Sequence, residues 1–149
     1  INSDYIGCVD DTCLATGELL AVKDTPFDFN KRKRIGQDLE ADHIQLKNAF
    51  GYDHSFVLNG TENQLTLEEP VSGRRLIIST TAPVVQVYTG NFLKDGCIGK
   101  AGRVYENREG VALETQLMPN AINTEENPST ILRKGDKFET NTKYVFEIM

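Results

Sequence analysis

The chain predicts an all-β protein, a sandwich or a barrel of antiparallel strands. Three observations carry that expectation. Short apolar stretches recur at regular spacing, and turn residues such as Asn59-Gly60, Ser72-Gly73 and Lys134-Gly135-Asp136 separate them. The segment from Gly110 to Asn120 alternates strictly: Val111, Leu113, Thr115 and Leu117 share one parity, and Ala112, Glu114 and Gln116 the other. That two-residue period is the signature of a strand with one buried face. No internal repeat or low-complexity linker interrupts the 149 residues, a length that suits one domain of about 100–150 residues.

In order, Ile1 to Val9 reads as an extended segment that ends in the acidic turn residues Asp10 and Asp11. Thr16-Gly17 is a turn signal, and Leu19 to Val22 is a short strand. Thr25-Pro26-Phe27-Asp28-Phe29 is extended, because the residue before a proline is pushed out of the helical region. Asp38 to Ala49 is ambiguous between a helical turn or two and a surface loop. Phe56-Val57-Leu58 is a strand and Asn59-Gly60 a turn. Leu65-Thr66-Leu67 and Leu76-Ile77-Ile78 flank Ser72-Gly73-Arg74 as a hairpin. Pro83 to Asn91 alternates again, with Gln86 and Tyr88 on one parity and Val85 and Val87 on the other. Pro119 stops the next ladder because it has no amide hydrogen. The chain closes with Thr130 to Arg133, the turn at Lys134-Gly135-Asp136 and a last strand from Tyr144 to Ile148.

Charge and cysteine usage exclude whole classes of function. The formal charge is −6, and a nucleic-acid partner would need clustered Lys and Arg. The single basic run, Lys31-Arg32-Lys33-Arg34, is expected to be a solvated loop, with Asp28, Asp38 and Glu40 close by in sequence. No apolar run approaches the ~20 residues that span a bilayer. The cysteines are Cys8, Cys13 and Cys97, an odd number without paired CxxC spacing. That speaks against a structural zinc site and a full disulfide framework, and fits reduced thiols in the cytoplasm. Asn59-Gly60-Thr61 matches a glycosylation sequon, whereas Asn127-Pro128-Ser129 is excluded by its proline.

Glu114 lies mid-strand on the polar parity. It reads either as a solvent-facing position or as a carboxylate held rigidly at the floor of a cleft, suited to general-base work. Asp53, two residues after Gly51, reads as a turn former or a ligand residue. Gln86 reads as an outward residue of a sandwich strand or as a ligand contact. Tyr88 is expected in the core or at the rim. His54 points away from Asp53 if the segment is extended, so it is expected to be structural. His43 is expected at the surface.

Six motifs in one order carry a resemblance. They are Pro26-Phe27-Asp28-Phe29, Gly51-Tyr52-Asp53-His54-Ser55-Phe56, Ser72-Gly73-Arg74, Gln86-Val87-Tyr88-Thr89-Gly90-Asn91, Leu113-Glu114-Thr115-Gln116 and Pro119-Asn120-Ala121-Ile122-Asn123. Together they resemble the aldose 1-epimerases, or galactose mutarotases, over the C-terminal half of that family's chain. The resemblance implies the family's large antiparallel β-sandwich, of which residues 1–149 would be the C-terminal portion. It implies interconversion of the α and β anomers of free hexoses such as galactose and glucose, with no metal or organic cofactor. It implies that Glu114 is the general base, that Asp53 hydrogen-bonds sugar hydroxyls and that Gln86 lines the sugar site. The family's acid is a histidine in an upstream motif that does not occur here. The N-terminal half of the same enzyme is therefore an expected partner, whether as part of the same polypeptide or as another chain. A non-catalytic sugar-binding or structural module on the same sandwich is the alternative. An epimerase of phosphorylated hexoses would need clustered arginines, and Arg74 and Arg75 point to opposite faces of a strand.

Overall fold

The structure is a computed structural model and describes residues 1–93, 98–124 and 130–149. Cys97 and the Asn127-Pro128-Ser129 tripeptide lie outside the described residues. Within them are eight strands: β1 (Ser3–Val9), β2 (Ala15–Ala21), β3 (Asp53–Leu58), β4 (Leu65–Glu69), β5 (Arg74–Thr80), β6 (Val84–Tyr88), β7 (Ala112–Gln116) and β8 (Thr142–Ile148). They form two sheets, one of five strands in the order β2-β1-β3-β6-β7 and one of three in the order β4-β5-β8. Every pairing between these strands is antiparallel. The all-β expectation holds.

The core lies between the sheets, where one parity of each strand meets the other sheet. Ile6, Phe56, Val85 and Val87 come from the five-stranded sheet, and Leu65 and Ile78 from the three-stranded one. Phe27 and Tyr52 plug the middle with none of their surface exposed. Phe27 makes edge contacts to His43, Tyr52 and His54 at ring-centroid distances of 5.3, 5.4 and 4.7 Å. Such pairs add to the burial of the rings themselves. The Pro26-Phe27-Asp28-Phe29 motif is thus an anchor for the segment that enters β3.

Several elements differ from the sequence expectation. Thr16-Gly17 is not a turn; it lies inside β2. Val9 pairs with Ala15 but Gly7 pairs with Leu19, so β2 carries extra residues against β1. Gly17, at φ +89°, takes up the bulge with a backbone angle that L side chains avoid. Asp38 to Ala49 resolves into a short helix, α1 (Ile44–Asn48), with a single 3-10 turn before it at Ile35–Gln37. His43 is the N-cap of α1, and its Nδ1 accepts from the Gln45 amide at 3.2 Å. With its ring against Phe27, His43 is a structural residue rather than a plain surface one. The hairpin through Ser72-Gly73-Arg74 forms as expected, with Leu67 opposite Leu76. Thr130 to Arg133 joins no strand.

The basic run is not uniformly solvated. Lys33 is 10% exposed and bonds the Pro26 carbonyl at 2.7 Å and Asp38 at 2.8 Å. Its ammonium lies 4.5 Å from the centroid of the Phe29 ring. The aliphatic stem covers apolar surface while the charge is satisfied locally. Arg32 pairs with Glu68 on β4 at 3.0 Å.

The two sheets meet at three hydroxyls. Thr142 Oγ1 on β8 lies 2.8 Å from Thr80 Oγ1 on β5 and 2.9 Å from Thr115 Oγ1 on β7. Beyond that stitch, Tyr144, Phe146 and Ile148 stand opposite Ile78, Leu76 and Arg74. Directly opposed residues share a face, so these side chains continue the core-facing surface of β5. Phe146 and Ile148 are nonetheless 78% and 76% exposed.

Candidate functional site

The face of the five-stranded sheet that points away from the core carries the candidate residues. Register places Ser55, Gln86 and Glu114 in one cross-strand row, because Ser55 pairs with Gln86 and Gln86 with Glu114. The next row is Asp53, Tyr88 and Ala112. Strand spacing puts β3 and β7 roughly 9.5 Å apart, with β6 between them. All three sequence-predicted site residues are therefore on one face of one rigid sheet.

Hydrogen bonds order the row from buried to exposed. Ser55 is 4% exposed, and its hydroxyl donates to Gln86 Oε1. Gln86 Nε2 donates to Asp53 Oδ1 at 2.7 Å. The amide can be oriented only this way, because a carboxylate accepts and does not donate. Glu114 is exposed, and among the described residues no hydrogen bond or ion pair reaches its carboxylate. A free carboxylate beside a carboxylate–amide pair can accept a proton and hold vicinal hydroxyls.

The approach to Asp53 is locked by a buried polar network. Gly51 has φ +140°, and a Cβ there would lie 2.5 Å from Asn91 Oδ1. Asn91 Nδ2 donates to the carbonyls of Ala49 at 2.8 Å and Tyr52 at 3.1 Å. Thr89 Oγ1 donates to Asn91 Oδ1 at 2.8 Å and accepts from the Tyr52 amide at 3.2 Å. This is what Thr89-Gly90-Asn91 does: it clamps the turn that delivers Asp53 to the sheet.

His54 points the opposite way, into the core, with none of its surface exposed. Its Nδ1 accepts from the Asp53 amide at 3.1 Å, and Nε2 lies 3.2 Å from Gln45 Oε1. These contacts define a neutral imidazole with its proton on Nε2. Burial first, and the nearby His43 second, push its pKa down to about 3. His54 is structural, as expected. Burial also holds the Tyr52 phenol well above its ordinary range, and that hydroxyl donates to the Pro26 carbonyl at 2.9 Å.

The segment after β7 crosses the lower part of the same face. Met118 and Ala121 pack on Val84 and Val57, the row below Ser55. A Cβ at Gly7 would lie 3.3 Å from Met118 Sδ and 3.8 Å from Ser55 Cβ, so the glycine leaves room for Met118 beside the row. Asn120, at φ +62°, donates to the Ala15 carbonyl on β2 at 3.0 Å. Pro119-Asn120-Ala121-Ile122-Asn123 thus straps the sheet and leaves the rows of Gln86 and Asp53 uncovered by it.

A cavity of about 920 Å³ lies elsewhere, between the sheets, bounded by Val87, Val111, Leu113, Leu65, Leu67 and Phe29. Lys31, Arg32, Asn63, Gln64 and Glu68 also line it, and its β7 wall is the parity opposite Glu114. Among the described residues, no three His, Cys, Asp or Glu side chains converge as metal ligands. No described helix is long and apolar enough to cross a membrane.

The chain has counterparts among known proteins. The model of the aldose 1-epimerase family matches residues 1–145. The chain belongs to the aldose 1-epimerase family. It is 37% identical to galactose mutarotase from Homo sapiens over 151 aligned residues, covering 99% of this chain and 43% of that one. It is 34% identical to aldose 1-epimerase from Haemophilus influenzae, covering 99% of this chain and 44% of the relative. Among solved structures, an aldose epimerase homologue from C. elegans superposes with a TM-score of 0.85 at 29% identity, covering 99% of this chain and 44% of that one. Galactose 1-epimerase from Lactobacillus acidophilus superposes with a TM-score of 0.68 at 27% identity, covering 99% and 42%. The epimerase family thus confirms the antiparallel sandwich. The chain spans less than half the length of these relatives.

Sequence reasoning missed one member of the row. Ser55 carried a signal, since it shares the parity of Asp53 on β3, but a serine in a strand has no chemistry that singles it out.

Proposed function

We propose that the protein carrying this segment is an aldose 1-epimerase that interconverts the anomers of free hexoses such as galactose and glucose. One observation carries the reading: Asp53, Gln86 and Glu114, each within a family motif, share one open sheet face. Glu114 removes the proton from the anomeric hydroxyl. The ring oxygen takes a proton as the C1–O bond breaks, giving the open-chain aldehyde. Rotation about C1–C2 and closure on the other face of the carbonyl complete the exchange. Asp53 and Gln86 hold the sugar hydroxyls meanwhile. Placed proton transfers of this kind each contribute roughly 10²–10⁴-fold.

The acid that serves the ring oxygen is assigned to residues outside this segment. His54 is buried on the far side of the sheet, and His43 packs there against Phe27 with its Nδ1 engaged. The relatives are more than twice as long as the stretch they share with this chain, which covers 43–44% of them. Because its motifs resemble those of the C-terminal half of the family, we assign residues 1–149 to the C-terminal portion of one epimerase domain, with the N-terminal portion covering the open face of β8. Cys8 and Cys13 are free thiols, which supports a cytoplasmic setting.

The test is polarimetry of α-galactose mutarotation with the full-length protein. Catalysed relaxation well above the buffer rate is expected. Sugar binding without acceleration would replace the enzyme by a sugar-binding module.

A further inference from the structure

Gln86 poses a problem that the proposed mechanism leaves open. It stands directly opposite Glu114, where Cβ atoms of paired residues are about 4.5–5.5 Å apart. A glutamine amide there is within reach of the glutamate carboxylate. A bond between the two would occupy the oxygens that must accept the substrate proton. No such bond is present among the described residues.

The reason lies on the other side of Gln86. Its amide is held at both ends by β3: Asp53 accepts from Nε2 at 2.7 Å, and Ser55 donates to Oε1. Asp53 alone would fix the nitrogen but leave the amide free to pivot. The Ser55 hydroxyl supplies the second point. It is buried, and it sits in register with Gln86, so it has little freedom to turn elsewhere. The bare Gly7 on β1 admits Met118 beside it, which closes the lower side of the row.

We propose that Ser55 is a positioning residue of the epimerase site: it clamps the Gln86 amide toward Asp53 and so keeps the Glu114 carboxylate free for the sugar. This rests on the assignment of Glu114 as base. Ser55 itself touches no reacting atom. When the hydroxyl is removed, Gln86 gains a second resting place, donating to Glu114, and the base is intermittently blocked. The loss then appears mainly in kcat.

A double-mutant cycle in the full-length protein tests this. Ser55→Ala is expected to lower kcat about tenfold, the scale of one lost buried hydrogen bond, with a smaller change in KM. In a Gln86→Ala background the same serine substitution is expected to have no further effect, because there is no amide left to misplace. An equal loss in both backgrounds, or unchanged kinetics for Ser55→Ala, overturns the proposal. A second measurement does not depend on activity. The side-chain amide resonances of Gln86 in ¹H–¹⁵N spectra should shift and broaden in Ser55→Ala, and unmoved resonances overturn the clamp. A fully active Glu114→Gln variant would instead remove the assignment of the base, and the resonances would still decide whether Ser55 holds Gln86.

Discussion

Gln86 faces Glu114 across the β6–β7 ladder, yet its amide reaches the other way and donates to Asp53 at 2.7 Å. One carboxylate of the site is thereby bound and the other left open. The two carboxylates differ in their contacts because of the neighbours that register gives them, and that asymmetry sets the first two predictions.

Glu114→Gln keeps the shape of the side chain and removes its capacity to take a proton. In the full-length protein, kcat for mutarotation is expected to fall by at least ~10²-fold with the fold intact. Polarimetry with circular dichroism as a folding control measures both. Near wild-type turnover would exclude Glu114 as the base.

Asp53→Asn replaces an acceptor with a group that can donate toward Gln86 and disturbs that amide. Gln86→Ala removes it. Each is expected to cost about 1–3 kcal/mol in kcat/KM, read from saturation curves with galactose. Unchanged kinetics with a lowered Tm would show that both residues serve the sheet and not the sugar.

His54 makes stability depend on pH in a defined direction. Its folded pKa is pushed from 6.5 down to about 3, so below pH 6.5 the unfolded chain binds a proton that the folded one does not. The stabilisation is fully present above pH 6.5 and is lost as pH falls toward 3. Between those limits the slope is ~1.4 kcal/mol per pH unit. Urea unfolding between about pH 7 and 5 should show it, superimposed on the carboxylates, and His54→Gln should flatten the curve. An identical slope in the variant would argue that His54 is not the cause.

Gly51→Ala should destabilise the protein and weaken the site together. The new Cβ would come within 2.5 Å of Asn91 Oδ1, and three hydrogen bonds hold Asn91 in place. The backbone angle adds strain of about 1–3 kcal/mol. A lower Tm with raised KM is expected. A variant as stable as wild type would mean that the Asn91 clamp gives way easily.

Much of this architecture can be read from residues that obey one rule at a time. β7 was legible because Val111, Leu113 and Thr115 alternate with Ala112, Glu114 and Gln116. The β4–β5 hairpin was legible because Gly73 marks its turn. β2 began earlier than expected because Gly17, a turn former by composition, serves as a bulge within a strand. His43 and Lys33 read as surface residues in the sequence because their burial depends on Phe27 and Phe29 arriving from elsewhere in the chain. The candidate residues Asp53, Gln86 and Glu114 stand out through their motifs, but their wiring does not. Which oxygen of Asp53 meets which nitrogen of Gln86 depends on strand register, and no single segment encodes that.

The order of strands in the larger sheet also governs when the site comes into being. Asp53 and Gln86 are 33 residues apart in the chain, and β3 must pair with β1, some fifty residues earlier, as well as with β6. Pairings between distant segments are slow to form because loop closure comes before any gain from contact. The Ser55–Gln86–Glu114 row thus matures only after the sheet has closed. A substitution that weakens the β1–β3 or β3–β6 ladder should reduce the yield of competent molecules, while those that do fold keep normal rate constants. Active-site titration beside a bulk activity assay would separate the two.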